Sequence, residues 1–161
     1  MSNKLKKLIL LGGGGHAKSA IDVINTTKSY EIIGILDPNL ELGANILGCD
    51  IIGSDNQLEK IIRDASDKIF AIVTVGQIKT SKIRKSLFNI LNNLEILSPP
   101  ITSPYAYLSS SAIVNNGTMI FHGAVVNADA KIGANCIINS NSLIEHDAEI
   151  HSHCHLSLIH I

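Results

Sequence analysis

The second half of the sequence repeats every six residues. An aliphatic residue opens each repeat, a small residue follows four positions later, and turn-forming residues fall between them. The aliphatic positions are Leu108, Val114, Ile120, Val126, Ile132, Ile138, Ile144, Ile150 and Leu156. Three such repeats make one triangular coil of about eighteen residues, with the aliphatic side chains stacked inside. The pattern predicts a left-handed parallel β-helix, an architecture commonly used for acyl transfer, and not a β-sandwich, whose residues would alternate with a period of two.

The first half alternates strand-like and helix-like segments. The predicted elements are strands at residues 7–11, 31–36, 51–52 and 69–75, and helices at residues 17–25, 57–63 and 82–92. This alternation predicts an α/β unit with a Rossmann-like parallel sheet. Prolines at positions 99, 100 and 104 end the helical pattern. We therefore predict two domains, residues 1–98 and residues 99–161, of which the second is the β-helix.

Charge and composition exclude several classes of partner. Thirteen basic and fourteen acidic residues nearly cancel, and aromatic residues make up 4% of the chain, so nothing favours nucleic acid or an anionic membrane. No apolar stretch is long enough to span a bilayer, and the short apolar run near the N-terminus fits a buried strand better than a signal peptide. The three cysteines form no CxxC pair, which predicts reduced thiols in a cytoplasmic protein.

A glycine-rich loop follows the first predicted strand. Gly12, Gly14 and Ala17 match the GxGxxA pattern, in which glycines let a ligand approach the backbone and a helix N-terminus attracts phosphate. Asp37 ends the second strand, where an acidic side chain can bind ribose hydroxyls. These features favour a nucleotide, and the fingerprint alone is compatible with NAD. A tight strand-to-helix turn without a ligand is the structural alternative.

A second loop, at Gly76, follows the strand at residues 69–75 and is expected beside the glycine-rich loop, because parallel strands end at the same edge of a sheet. A simple turn at the strand end, without a ligand, is the alternative. The basic residues after it are Lys79, Lys82, Arg84 and Lys85. We interpret them as a solvated helix face, with Arg84 reaching a diphosphate as the weaker alternative.

Histidines are concentrated near the C-terminus. His146 lies between Glu145 and Asp147, and a neighbouring carboxylate can orient an imidazole and raise its basicity. The spacing of His146 and His151 also resembles that of β-helical zinc enzymes, but Ser110 stands two coils before His146 where a third ligand is needed, so we predict no metal site. We interpret the remaining histidines as surface residues, namely His151, His153 and His160.

Taken together, these motifs resemble those of the hexapeptide-repeat sugar acetyltransferases of the sialic-acid O-acetyltransferase family. This family includes the UDP-linked amino-sugar N-acetyltransferases of bacillosamine synthesis and the perosamine N-acetyltransferases. The resemblance rests on GGGGHAK at residues 12–18, LDP at 36–38, VTVGQ at 73–77, and N-x-x-x-L-I-E-H-D at 139–147 with a further histidine nine residues after His146. It covers nearly the whole chain, to about Ser157.

The resemblance implies the site residues of the first domain. Gly14, Gly15 and His16 match the loop that holds the diphosphate of a nucleotide sugar. Asp37 matches the acid that contacts the nucleoside, and Gly76 matches another backbone position that contacts the substrate.

The resemblance also implies the acetyl-transfer residues of the β-helix. Asn139 matches an asparagine that contacts the sugar, His146 matches the general base, and Asp147 takes the place of the acid that raises its basicity. His155 matches a histidine that contacts acetyl-CoA. The family further implies a homotrimer with each active site between two β-helices. It also implies acetyl transfer from acetyl-CoA to an amino or hydroxyl group of a nucleotide-activated sugar, or of sialic acid, in surface-glycan biosynthesis.

Family members run on for several further coils, whereas this sequence stops after one more and loses the repeat at residues 158–161. From this we expect a truncated gene product or an incomplete sequence. Two other hypotheses stay open: a catalytically dead nucleotide-binding protein, and, with less support, an NAD-linked or zinc enzyme.

Overall fold

The computed structural model describes residues 4–78 and 80–157. The interpretations of Lys79, of His160 and of the broken repeat at residues 158–161 fall outside the described residues. Within the described part of the chain, no helix combines the length and the hydropathy needed to cross a bilayer.

The N-terminal unit is built on a five-stranded sheet with the strand order β3-β4-β2-β1-β5. The strands are β1 (Lys6–Leu11), β2 (Tyr30–Leu36), β3 (Asn45–Ile46), β4 (Cys49–Gly53) and β5 (Ile69–Val73). The helices are α1 (Gly15–Thr27), α2 (Leu58–Asp64), which follows a 3₁₀ turn at Asp55–Gln57, and α3 (Lys82–Asn93). All pairings are parallel except that of β3 with β4. The predicted parallel sheet is confirmed, and β3 is an addition that the sequence analysis missed.

The central strand β1 is apolar along its length because both of its faces are covered. Leu8 and Leu10 pack in one core with α1, while Ile9 and Leu11 pack in a second core with α2 and α3. Successive side chains of a strand point to opposite faces of its sheet. A continuous apolar run is therefore the pattern expected of a strand buried between two layers of structure.

The second half forms the predicted parallel β-helix, which is left-handed. Its first face consists of β7 (Tyr107–Leu108), β10 (Val125–Val126) and β13 (Leu143–Ile144). Its second face consists of β8 (Ile113–Val114), β11 (Lys131–Ile132) and β14 (Glu149–Ile150). Its third face consists of β6 (Ile101–Thr102), β9 (Met119–Ile120), β12 (Ile137–Ile138) and β15 (His155–Leu156). The β-helix thus begins at Ile101, a few residues before the repeat becomes visible in the sequence.

The repeat positions play the structural roles predicted for them. The nine aliphatic residues and the alanine and cysteine residues at the small positions between them form one interior cluster. Every sixth residue from Gly117 to His153 has a positive φ, and the set is Gly117, Gly123, Asp129, Asn135, Asn141, Asp147 and His153. Glycine, asparagine and aspartate adopt this left-handed conformation most readily, which accounts for their recurrence at one position of each repeat.

The third face of the β-helix packs against the N-terminal unit. Its outward residues Met119 and Ile137 are fully buried, and they share a core with α1 and with the face of the sheet that α1 covers. The ring of Phe121 extends this core and lies 5.2 Å from the ring of His16, centroid to centroid. The two halves of the chain are therefore joined by a common apolar core.

Arg84 is fully buried at this junction, so both interpretations of its side chain were wrong. Its Nη1 donates hydrogen bonds to the carbonyls of Val73 (2.8 Å) and Val75 (2.9 Å), next to the end of β5. Its Nε and Nη2 donate to the carbonyls of Asn135 (3.3 Å) and Gly117 (3.4 Å), at corners of the β-helix. Burial lowers the pKa of Arg84 to about 10, which leaves the side chain charged at neutral pH.

His153 also lies at the junction, although we predicted a surface side chain. Its ring packs edge-on against Phe88 with centroids 5.9 Å apart, and its Nδ1 accepts a hydrogen bond of 2.9 Å from Nδ2 of Asn135. Burial lowers the pKa of His153, and the positive charges of Lys85 and Arg84 add to the effect. The prediction of a turn position was correct, but contact with Phe88 of α3 partly covers the ring.

The buried contacts of Arg84 lead to a prediction about stability. Arg84→Ala is expected to lower the free energy of unfolding by about 2–4 kcal/mol, because four carbonyls lose their donor in an enclosed site. Chemical denaturation measures the change. The control is Lys85→Ala, which removes an exposed cation from the same helix and should change the value by less than about 0.5 kcal/mol. Equal effects of the two substitutions would contradict the structural role of Arg84.

Candidate active site

A cavity of about 490 Å³ lies at the edge of the sheet where its parallel strands end. The segments after β1, β2, β4 and β5 all contribute to its wall, as expected for the carboxyl ends of parallel strands. All five residues predicted for the first domain line this cavity: Gly14, Gly15, His16, Asp37 and Gly76. The structure therefore brings these residues together, while their roles in binding stay predictions.

The glycine-rich loop leaves open space at the N-terminus of α1. A Cβ atom added at Gly14 or Gly15 would meet no other atom within 4 Å. Gly12, in contrast, has a φ of 108° and packs so closely on Val75 that a side chain there would collide with it. The first turn of α1 contains no acidic residue. Unpaired N–H groups at a helix N-terminus attract anions, so this end of the cavity suits a phosphate group.

The carboxylate of Asp37 organises the loops around the cavity. Its Oδ2 accepts a hydrogen bond from the backbone N–H of Gly13 and its Oδ1 accepts one from that of Asn39, each at 2.8 Å. Both oxygens are thus already engaged within the protein. Asp37 fixes the glycine-rich loop beside the turn that follows β2, in addition to facing the cavity.

His16, Gln77 and His155 meet where the cavity approaches the β-helix. The Nδ1–H of His155 donates to the carbonyl of Gln77 at 2.8 Å, and Nε2 of Gln77 donates to the carbonyl of His153 at 2.7 Å. Three polar atoms here are shielded from solvent and have no hydrogen-bond partner in the part of the chain that the structure describes: Nε2 of His16, Oε1 of Gln77 and Nε2 of His155. The sequence analysis singled out Gly76 but overlooked Gln77, whose only signal was its place at the end of the VTVGQ segment.

Burial makes His16 a neutral group. Desolvation lowers its pKa to about 4, and the positive charge of Arg84 and the nearby His155 act in the same direction. An imidazole with this pKa is uncharged at neutral pH, so His16 can donate or accept a hydrogen bond but cannot neutralise a phosphate.

His146 and Asp147 form an exposed pair on the β-helix. Nδ1 of His146 lies 2.7 Å from Oδ2 of Asp147, and their side chains are 74% and 73% exposed. The hydrogen bond to Asp147, followed by the charges of Asp147 and Glu145, raises the pKa of His146. This is the electrostatic arrangement predicted for a general base and its acidic neighbour. Among residues 4–78 and 80–157, no group of three or more metal-ligating side chains comes together.

The structure does not bring this pair together with the cavity inside one chain. His146 lies at the corner between the first and second faces, after β13 and before β14. The N-terminal unit covers the third face, which is opposite that corner in a triangular coil. Asn139 lies at the corner between the third and first faces, where its N–H donates to the carbonyl of Leu156 at 3.0 Å. Of the residues predicted for the β-helix, only His155 lies beside the cavity region, through Gln77.

Comparisons with known proteins identify the chain's relatives. The model of the PglD N-terminal domain matches residues 7–91, which is more than half of the chain. The chain belongs to the PglD N-terminal domain family. No curated protein matches the sequence.

Among solved structures, the chain resembles the acetyltransferase domain of PglB from Neisseria gonorrhoeae, with a TM-score of 0.81 and 26% identity over 93% of this chain and 70% of that one. It also resembles PerB from Caulobacter crescentus in complex with CoA and GDP-perosamine, with a TM-score of 0.82 and 26% identity over 96% and 70% of the two chains. WeeI from Acinetobacter baumannii shares the fold, with a TM-score of 0.76 and 15% identity over 93% and 68%. The family match and these likenesses confirm the resemblance predicted from the motifs.

The His146–Asp147 contact leads to a prediction about proton affinity. Asp147→Asn is expected to lower the pKa of His146, because the carboxylate favours the protonated ring and an amide does not. Asparagine adopts the left-handed turn conformation, so the fold is kept. NMR titration of the His146 ring measures the pKa. Asp129→Asn is the matched control, since Asp129 occupies the same turn position one coil earlier and should leave the titration of His146 unchanged. An unchanged pKa of His146 in the Asp147→Asn variant would contradict the assignment.

Proposed function

We propose that this protein is an acetyl-CoA-dependent acetyltransferase that acts on an amino or hydroxyl group of a nucleotide-activated sugar. The observation that carries the proposal is the presence, in one chain, of a phosphate-compatible cavity and a β-helix with an exposed histidine–aspartate pair. The likeness to PerB, solved with CoA and GDP-perosamine, and to the PglB domain, solved with acetyl coenzyme A, supports the reaction class and the co-substrate. We further propose a cytoplasmic location and a role in surface-glycan biosynthesis.

In this proposal the cavity holds the nucleotide sugar. The diphosphate lies against the backbone N–H groups at Gly14 and Gly15, where no side chain occupies the space and the helix dipole favours negative charge. His16 adds a neutral hydrogen-bonding group. It lies next to Gly76, since a Cβ atom built onto Gly76 would be 3.2 Å from the Cβ of His16. Asp37 holds the loop in place and faces the nucleoside.

His146 acts as the general base. The acceptor nitrogen or oxygen of the sugar attacks the thioester carbonyl as Nε2 of His146 removes its proton, and a tetrahedral intermediate forms. Collapse of the intermediate breaks the carbon–sulfur bond, and the departing sulfur takes the proton back from His146. Asp147 favours the protonated ring that exists between these steps. Asn139 is assigned to the sugar and His155 to acetyl-CoA.

Each active site is proposed to lie between subunits of a homotrimer. The outward residues Tyr107, Val125 and Leu143 form an apolar stripe on the first face, and Tyr107 and Leu143 are more than half exposed. The second face carries one exposed apolar residue, Ile113, beside the ion pair of Lys131 with Glu149 at 2.9 Å. A second copy of the chain on the first face would bury the stripe and approach the corner that holds His146. In this arrangement the cavity of one chain, which is remote from the His146 of that chain, receives the His146 of a neighbouring chain.

Substitution of His146 tests the proposed acetyl transfer. His146→Ala is expected to reduce acetyl-CoA turnover by at least about a hundredfold while nucleotide binding is unchanged, because the substitution removes the proton acceptor and leaves the cavity intact. Release of free CoA thiol is measured with a panel of UDP-, GDP- and CMP-linked sugars, using the protein with every residue that its gene encodes. His151→Ala, five residues further along the β-helix, is the control. A protein that binds nucleotide but releases no CoA with any acceptor would instead support a binding protein without catalytic activity.

A mixing experiment tests the shared site. His146→Ala and Gly14→Leu are each expected to be inactive, the second because a leucine at Gly14 enters the open cavity without disturbing the fold. When the two variants are mixed in equal amounts, about a quarter of the subunit boundaries join an intact cavity to a neighbour's intact His146. The mixed trimers should therefore recover about a quarter of the normal activity. The two separate variants, assayed at the same total concentration, are the controls. Absence of recovery would place the cavity and the base of one reaction in the same chain.

A further inference from the structure

Among the described residues of the cavity wall, Asp55 is the one acid to which the proposed function gives no role. It follows β4 as the first residue of the 3₁₀ turn and lines the same cavity as Asp37. Its Oδ1 is shielded from solvent and has no hydrogen-bond partner among the described residues, whereas both oxygens of Asp37 accept hydrogen bonds from backbone N–H groups. Buried polar groups in folded proteins are nearly always paired, so an unpaired carboxylate oxygen in a cavity wall suggests that a ligand supplies the donor.

The order of the strands gives Asp55 a position along the bound nucleotide. β4 lies beside β2, and β2 lies beside β1, which leads into the glycine-rich loop. Neighbouring strands are about 4.8 Å apart, so the end of β4 lies about 10 Å from the end of β1. If the diphosphate lies at the N-terminus of α1, the ribose falls nearest to Asp37 at the end of β2. The nucleobase, the part farthest from the diphosphate, then falls nearest to Asp55.

An ionised carboxylate can only accept hydrogen bonds, and this limits which bases it fits. Guanine presents two adjacent donors, N1–H and the N2 amino group, which match the two oxygens of a carboxylate. Uracil presents a single donor at N3. Cytosine and adenine present an unprotonated ring nitrogen at the corresponding place, whose lone pair would face the carboxylate and repel it.

We propose that Asp55 is a specificity-determining residue that selects a nucleobase with a protonated ring nitrogen, guanine before uracil, and rejects cytosine and adenine. The inference rests on the proposed function, because it takes the diphosphate to lie at α1. It predicts a GDP- or UDP-linked sugar as the substrate and excludes a CMP-linked sugar.

Calorimetric titration of the protein with GDP, UDP, CDP and ADP tests the assignment without any substitution. GDP is expected to bind at least about tenfold more tightly than CDP or ADP, with UDP between them, as a well-formed pair of hydrogen bonds discriminates among bases to this extent. Equal affinity for all four nucleotides would overturn the role of Asp55 and leave the nucleotide site intact. If none of the four nucleotides binds, the proposed function is overturned as well.

The substitution Asp55→Asn then shows whether Asp55 contacts the nucleobase or the ribose. The amide replaces one acceptor with a donor, so the preference for GDP over CDP should fall at least about tenfold. Glu59→Gln is the matched control, since it removes an exposed carboxylate from α2, close in sequence but outside the cavity wall, and should leave the preference unchanged. An unchanged ranking in the Asp55→Asn variant overturns the proposal. Loss of discrimination between GDP and 2′-deoxyGDP, with the base ranking intact, would assign Asp55 to the ribose and also overturn it.

Discussion

The contact of Arg84 with four backbone carbonyls connects the parts of this structure on which the site depends. Two of the carbonyls, those of Val73 and Val75, belong to the segment that leads from β5 to Gly76 and Gln77 at the cavity. The other two belong to corners of the β-helix. One guanidinium therefore fixes the loop after β5 relative to the two coils that precede the one carrying His153 and His155. Carbonyl groups at strand ends and turns have no ladder partner, so a donor with several N–H groups satisfies them where water does not reach.

The three faces of the β-helix have different surroundings, and their differences follow from the outward residue of each repeat. The third face carries methionine and isoleucine and is buried against α1. The second carries an exposed isoleucine, Ile113, together with a lysine and a glutamate, and the outward residues of the first are all apolar and largely exposed. Inside, the coils are nearly identical, because the repeat fixes a uniform stack. The inward residues of the repeat thus determine the β-helix itself, and the outward residues determine what each face packs against. The triangular geometry also separates His146, the proposed general base, from the cavity of its own chain, which makes a neighbouring copy part of the proposed chemistry.

Periodic and local features of the fold were predictable from the sequence. The six-residue repeat, the alternating strands and helices, and the loop at Gly14 each depend on residues close together along the chain. Arg84 was not predictable in this way, because a helix face rich in basic residues is usually solvated and only the packing of α3 against the β-helix buries it. His153 was missed for the same reason, since Phe88 covers its ring. The strand β3 has only two residues and depends on its pairing with β4. Asp55 could have been predicted, because it follows β4 as Asp37 follows β2. The rule that an acidic residue at the end of a parallel strand faces the ligand site applies to both strands.

The charge of Arg84 has an effect beyond packing. Among the described residues its hydrogen-bond acceptors are all neutral carbonyls, so no carboxylate cancels its positive potential. This potential reaches His16, where it helps to lower the pKa and keep the imidazole neutral. A positive potential that disfavours a protonated histidine favours a phosphate at the same place, because the two groups have opposite charges. The cavity can therefore attract a diphosphate without an exposed cation in contact with it. The attraction comes from the N-terminus of α1 and from the buried charge of Arg84, while His146 of the same chain, the proposed general base, lies at the opposite corner of the coil.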